Sequence, residues 1–314
     1  MRFGPGRTGR VLWGKAMDIK KVRAGRRYYL PAAIVVGLMT QIPFLITLVY
    51  STLRWNLARP DLAIEFRGLE NFAHFLAMPN FPQLSIFYVV LWQTVVMTGT
   101  TLLLCTVLGF LLSLLLDNDI PGVNVARTLI LGPFFVMATA AGVVWRATIF
   151  SSRFGWYGVL VENFGLPRID FLSMYPMAVI ITLFVWQWLP FFVLVTLGGL
   201  QGLPDDIIDS AKIDGCNWFQ STFLIKRPLV QNHLNVAIML GLVFIIKEFA
   251  IIITTTGGGP GTRSYNLPFL VYRQVFSASN VGRAAAVAVL TVVLTLVLVN
   301  VLYGTIRKRR TMFG

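Results

Sequence analysis

Two long stretches without a formally charged side chain constrain this sequence more than any other feature. From Tyr28 to Leu53 there are 26 residues without one, and none of Asp, Glu, Lys or Arg occurs between Glu70 and Asp117, where the apolar part runs from Ile86 to Leu116. A hydrocarbon layer about 30 Å thick is crossed by about 20 apolar helical residues. Inside it each backbone donor and acceptor must be satisfied within the protein, which favours helices for runs of this length. Further apolar runs cover residues 125–150, 177–200, 232–256 and 284–303. The expectation is an all-α integral membrane domain of six transmembrane helices over 29–306, between a basic segment, 1–28, and a basic tail, 307–314. Composition agrees: 56% of the residues are hydrophobic and only 13% charged, against about 25% in soluble domains. That argues against a soluble globule, a disordered chain and a nucleic-acid-binding domain. The first run is read as a retained span, because its preceding basic region is too long for a leader peptide and no small-x-small cleavage site follows.

Charge placement sets the orientation. Residues 1–27 hold nine basic side chains against Asp18, and 307–310 read Arg-Lys-Arg-Arg. Basic flanks stay on the cytoplasmic side, so both termini are predicted to be cytoplasmic, which requires an even number of spans. Seventeen Lys and Arg then fall inside and eight outside, with Arg146 and Lys247 within spans. Pro43, Pro133 and Pro190 remove backbone donors and are expected to kink their helices. Cys105 and Cys216 make no disulfide framework. His74 and His233 have no ligand partners at metal-binding spacing, and no catalytic Ser-His-Asp, Cys-His or paired-carboxylate set presents itself.

The loop between spans four and five, residues 203–228, reads LPDDIIDSAKIDGCNWFQSTFLIKRP. Pro204 and Asp205 offer a helix start, with Asp205 as N-cap. Ile207, Ile208 and Ala211 share a face at helical spacing, and Gly215 can end the helix in a left-handed conformation. A second amphipathic piece with Trp218, Phe219, Thr222, Phe223 and Ile225 follows, stopped by Pro228. On periodicity alone, an interfacial helix lying on lipid fits equally well.

The residues themselves add a resemblance. Asp209-Ser210-Ala211, then Gly215, Ile225 and Pro228, resemble the E-A-A-x3-G-x9-I-x-L-P loop of importer-type ABC permeases, with Asp209 for Glu, Ser210 for Ala and Arg227 for Leu. Phe66-Arg67-Gly68-Leu69-Glu70-Asn71-Phe72 resembles the F-x-G-L-x-N-[FY] element of the carbohydrate branch, that of the first permease subunit of maltose importers. Ile245-Ile246-Lys247-Glu248-Phe249, leading to Thr256-Gly257-Gly258-Gly259-Pro260, resembles the end of span five and its T-x-G-G-P-type loop, with Ala250 where many relatives carry Asp. The resemblance implies a type I importer fold in which 203–228 forms a cytoplasmic coupling helix docked on an ATPase. Its implied partners are an ATPase dimer holding ATP and Mg, a second related permease, a periplasmic or lipid-anchored solute-binding protein, a carbohydrate and the lipid of the inner membrane.

No Walker motif occurs in the chain, and Gly257–Gly261 lacks the Lys-Ser/Thr of a phosphate loop, so it is read as a sharp turn. Nucleotide chemistry is assigned to another chain, and this one is read as no enzyme. Lys247 and Glu248 fall about 15 residues, roughly 23 Å, into span five. Each costs about 2.5–3.5 kcal/mol facing lipid at the membrane centre. They either line a wet path, form an ion pair or snorkel. Trp186, Gln187 and Trp188 lie at roughly 14–17 Å depth, suited to stacking on and hydrogen-bonding a sugar, or simply to packing. Arg146 is expected to snorkel. Two other readings stay open: an ion-coupled secondary transporter with Lys247 and Glu248 as relay, and import of a phosphorylated polyol favoured by the outer arginines.

Overall fold

A computed structural model of the chain describes residues 19–77, 85–118, 120–151, 155–165 and 167–313, with side chains described from 29 to 306. The basic segment 1–28, the basic tail 307–314 and Arg153 therefore lie outside the described side chains. The chain clusters into two compact units, 1–49 and 50–314. The first contributes most of α1 (Ile19–Ser51), which holds Pro31 and Pro43 without a break.

The second unit opens with a two-stranded hairpin, β1 (Leu53–Arg54) and β2 (Glu65–Phe66), paired antiparallel, then α2 (Glu70–Leu76) and the long α3 (Ile86–Leu116). Asn71 gives the FRGLENF element a structural role: its Nδ2 donates to the carbonyls of Ser51 (2.9 Å) and Leu53 (2.8 Å). After α3 come α4 (Val123–Ile130), α5 (Gly132–Phe135), α6 (Ala138–Val144) and a π-helical turn, Trp145–Ile149. Short helices α7 (Trp156–Asn163) and α8 (Phe171–Met174) lead into α9 (Pro176–Gln201). Next stand α10 (Asp205–Ile213), α11 (Trp218–Gln220), a π-helical stretch Ser221–Lys226, α12 (Arg227–Leu229) and α13 (Gln231–Ile246). The described chain ends with α14 (Ala250–Thr255), α15 (Leu267–Phe276) and α16 (Val281–Phe313).

Four helices are long and apolar enough to cross a membrane unbroken: Tyr29–Ser51, Ile86–Leu116, Pro176–Gln201 and Val281–Ile306. Two further pairs pass together but are bent, Val123–Phe135 with Ala138–Ile149 by 95° and Trp218–Leu229 with Gln231–Ile246 by 63°. The result is a multi-pass helical membrane protein. Spans one, two, four and six were legible as lengths of apolar sequence; the other two expectations need correction. Span three is not one helix over 125–150, because Val136 (ψ 132°) and Met137 (ψ 133°) are extended just after Pro133. Span five is not one helix over 232–256, because the helix stops at Ile246 and resumes at Ala250.

Three smaller expectations also change. Pro228 does not stop its helix, which runs to Leu229. Proline crowds the carbonyl four residues back, here Leu224, and that residue sits in a π-helical stretch where the regular ladder is already displaced. Pro190 likewise lies inside an unbroken α9. Asp205 is the first helical residue rather than the N-cap, a position Pro204 holds without a side-chain bond. Asp205 and Asp206 thereby sit in the first turn, where carboxylates oppose the positive helix end.

Two of the buried apolar clusters bear on the site. One gathers Phe87, Met97, Ile180, Phe184, Ile251 and Phe269 around the upper part of α3 and α9. The other packs Phe110, Leu114, Leu200, Val230 and Leu234 beneath α10–α12.

Candidate functional site

The loop after α9 builds a compact knob. At the end of α10, Gly215 takes φ +77°. Its N–H donates to Lys212 O (3.1 Å) and that of Cys216 to Ala211 O (3.0 Å). These are the two bonds of a Schellman C-cap, which needs a residue tolerant of positive φ. Asn217 and Gln220 then form a reciprocal capping box that starts α11. Ala211 is buried and Ser210 Oγ donates back to Asp206 O (2.7 Å). Asp209 and Lys212 pair at 2.9 Å on the surface; the hydrogen bond to Asp209 and its charge hold the Lys212 ammonium above its ordinary pKa. Ile225 is half-buried and Pro228 exposed.

The knob exposes large apolar side chains beside Asp205, Asp206, Asp209 and Lys212. Ile213 is 86% exposed, Leu224 71%, Phe219 67% and Trp218 59%, with Ile207, Phe223 and Leu229 also exposed. Exposed apolar side chains gathered on one loop suit an interaction site. The knob is tied to the bundle through Phe223 against Phe110 (ring centroids 6.5 Å) and Lys226 Nζ to Asp117 Oδ2 (3.0 Å). The sequence reading did not find that ion pair, since its members belong to different loops. Arg127 adds to the same junction by donating through Nη2 (2.6 Å) and Nε (3.1 Å) to the carbonyl of Leu116 at the end of α3.

A second cluster forms at the break between α5 and α6 and at the end of α13. Gln187 Nε2 donates to the carbonyl of Val136 (2.9 Å), the group freed by the break between α5 and α6. Trp188 stacks on Phe244 of α13 (5.5 Å) and meets Phe134 of α5 edge-on (5.7 Å). Lys247 Nζ sits 4.6 Å over the Phe244 ring. Trp186 packs edge-on against Trp145 (5.3 Å), and is the member of the Trp-Gln-Trp run that faces the π-helical turn rather than this cluster. Gln187 Oε1 and Trp188 Nε1 are buried without a hydrogen-bond partner. Arg146, in that turn, is exposed.

Lys247 and Glu248 are not brought together. Glu248 Oε1 accepts from the backbone N of Ala250 (2.8 Å), at the positive start of α14, and its carbonyl accepts from Asn266 Nδ2 (2.6 Å). Asn266, which no motif in the sequence marks, is buried and also caps α15 by accepting from Phe269 N (3.0 Å). Lys247 is exposed, and no carboxylate lies within ion-pair distance of it among the described residues. A ring beneath an ammonium supplies about 0.5–2 kcal/mol, less than the cost of facing lipid, so Lys247 still calls for water or an anion.

Gly257, Gly258 and Gly261 all take positive φ, the tight turn read for that loop. His74 meets the Phe75 ring edge-on (5.1 Å), and burial, then the nearby Arg283 charge, lower its pKa. Among the described residues no group of three His, Cys, Asp or Glu could hold a metal ion.

No protein-family profile matches the chain. Individual proteins do. The trehalose/maltose transport system permease protein MalF of Thermococcus litoralis is 27% identical over 283 residues, 89% of this chain and 92% of that one. The sn-glycerol-3-phosphate transport system permease protein UgpA of Brucella abortus is 28% identical over 248 residues, 78% and 82% of the two chains. Among solved structures, a bacterial alginate ABC transporter, crystallised with an alginate pentasaccharide-bound periplasmic protein, shares the fold with TM-score 0.74 at 20% identity, covering 95% of this chain and 97% of its own. The chain thus resembles the permease subunits of ABC transporters. Within that class the likeness extends to permeases of sugar transport systems.

Proposed function

We propose that this chain is one permease subunit of a binding-protein-dependent ABC importer that carries a carbohydrate (a sugar, oligosaccharide or polyol) across the cytoplasmic membrane. In this reading α4 to the π-helical turn (Val123–Ile149) and α13 with α14 (Gln231–Thr255) each count as one broken span, giving six, with both termini cytoplasmic. The domain is 29–306, with the knob 203–228 facing the cytosol as coupling helix. Asp209, Ser210, Ala211, Gly215, Ile225 and Pro228 shape that knob for a groove in a partner ATPase dimer, which binds ATP and Mg. A second, related permease completes the pore, and a periplasmic or lipid-anchored binding protein delivers the solute to the outer loops. Lys247, Gln187 and Trp188 line the path, with Trp186 buttressing its wall and Glu248 holding the break in span five.

The single observation that carries this reading is the knob with its exposed apolar side chains, ordered by a Schellman cap and a capping box and bonded to the base of α3. A helix built only to float on lipid needs no such rigid attachment. Closure of the ATPase dimer would move the knob and shift the bundle between outward-open and inward-open states. The relay of an ion-coupled transporter finds less support, because Glu248 is committed to the α14 backbone and does not meet Lys247.

The test is co-purification with the ATPase, second permease and binding protein encoded alongside. Ala211→Asp and Gly215→Trp are expected to abolish ATPase binding or its stimulation by the solute-loaded binding protein. Normal assembly and stimulation in both variants would overturn the coupling role. A thermal-shift screen of the binding protein against sugars and polyols identifies the cargo.

A further inference from the structure

We infer that the solute is an anionic carbohydrate, one bearing a carboxylate, sulfonate or phosphate, and that Lys247 is the residue that recognises its charge. This rests on the importer reading above and names the cargo class for the same path.

Four observations converge on it. Backbone that departs from helix at membrane depth is tolerated where it is buried in protein or lines a wet cavity, and Lys247 stands at such a departure, directly after α13 ends at Ile246. Its ammonium is exposed and has no carboxylate partner among the described residues. Glu248 is the only acid in the apolar segments 29–51, 86–116, 123–149, 176–201, 231–255 and 281–306, and its carboxylate is turned onto the Ala250 N–H. Glu248 keeps its negative charge there but does not pair with Lys247, whose ammonium is left without a carboxylate partner among the described residues. Finally, Lys247 continues an aromatic row, Phe244, Trp188 and Phe134, packed on one another, and buried Trp188 Nε1 is a donor without a partner. Beside the Gln187 amide this path sets an ammonium and an indole N–H, donors that match an acceptor-rich anion.

The test does not require the solute. In the assembled transporter carrying Cys216→Ser, which leaves Cys105 buried, cysteines are placed at Val243 and, separately, Leu240. Both are exposed positions on α13 preceding Lys247. Their reaction with a sulfonate-bearing and a trimethylammonium-bearing methanethiosulfonate is timed without nucleotide and after trapping with ATP, Mg and vanadate. Rates are divided by those of each reagent with a free small thiol. The anionic reagent is expected to be favoured about tenfold, the scale of one nearby unit charge at protein-surface dielectric. Lys247→Gln should abolish that preference and Lys247→Arg keep it. Equal rates, a preference for the cation, or no reaction at either cysteine in either nucleotide state overturns the proposal. Co-purification of the ATPase with these same variants judges the importer reading separately, so the two can fail independently.

Discussion

Asp117 and Lys226 are 109 positions apart in the chain and 3.0 Å apart in space. Their side chains are 17% and 23% exposed, which places the pair between a solvated surface bridge and a buried one. Asp117 caps the end of α3, and Lys226 closes the π-helical stretch of the knob. The pair thus joins the proposed lever to the helix that packs along α9. A push on the knob reaches α3 through a charged link as well as through the Phe110–Phe223 contact.

Exposed pairs contribute about 0–1 kcal/mol and breaking a buried one costs about 3–5 kcal/mol, so Asp117→Asn or Lys226→Met should destabilise by about 1–3 kcal/mol. The mechanical role is read separately. Each single variant should retain ATPase binding but lower the ratio of transport to ATP hydrolysis. The exchanged pair Asp117→Lys with Lys226→Asp should recover much of that ratio. Full coupling in both single variants would show that the link carries no motion.

Gln187 makes a second prediction. Its amide satisfies the Val136 carbonyl at the 95° bend between Val123–Phe135 and Ala138–Ile149. A buried acceptor left unpaired costs about 1–3 kcal/mol, so Gln187→Leu should lower the thermal midpoint of the purified transporter by that equivalent. Gln187→Glu, which offers no N–H when ionised, should behave no better. If Gln187→Leu matches the unmodified protein, water or another donor serves Val136 and the bend does not depend on α9.

How far the sequence carried this structure depends on what kind of information each feature needs. Apolar length alone placed α3 and α9 to within a residue or so, because a helix crossing lipid is specified by its own composition. The glycine at 215 was legible for a similar reason, since a left-handed cap is a local demand. The breaks at Val136 and Lys247 were not legible, although Pro133 hinted at the first. Both are stabilised by donors from remote helices, Gln187 in one case and Asn266 in the other. The same holds for the site. Trp188 and Lys247 were named separately, but Phe244, which joins them, was invisible among other aromatics. Lys247 and Glu248 were read as positions about 15 residues into one continuous span, a reading that lapses once the helix ends at Ile246 and resumes at Ala250.

Gly215 permits a test that separates backbone strain from crowding. A Cβ added there would meet nothing within 4 Å, yet φ is +77°. Gly215→Val should therefore cost about 1–2 kcal/mol through conformation alone, and Gly215→Asn much less, because Asn tolerates this region. Hydrogen exchange at the Gly215 and Cys216 amides reports the loss directly, since both donate into the cap. Equal protection in the Val variant would mean that the knob has another way to close its helix.

His74 gives a prediction in pH. Burial first, and the Arg283 charge second, hold its imidazole below the ordinary value of 6.5 in the folded protein. The group is thus more easily protonated when unfolded. Its contribution to stability is present above the unfolded value and is lost as pH falls through that value toward the lowered folded one. Thermal unfolding followed from about pH 7.5 down to about 5.5 should show a midpoint that declines more steeply in the unmodified protein than in His74→Gln. Arg283→Gln should shrink the difference without removing it, because burial is the larger cause. Identical slopes in the unmodified protein and His74→Gln would show that neither burial nor the Arg283 charge shifts this imidazole.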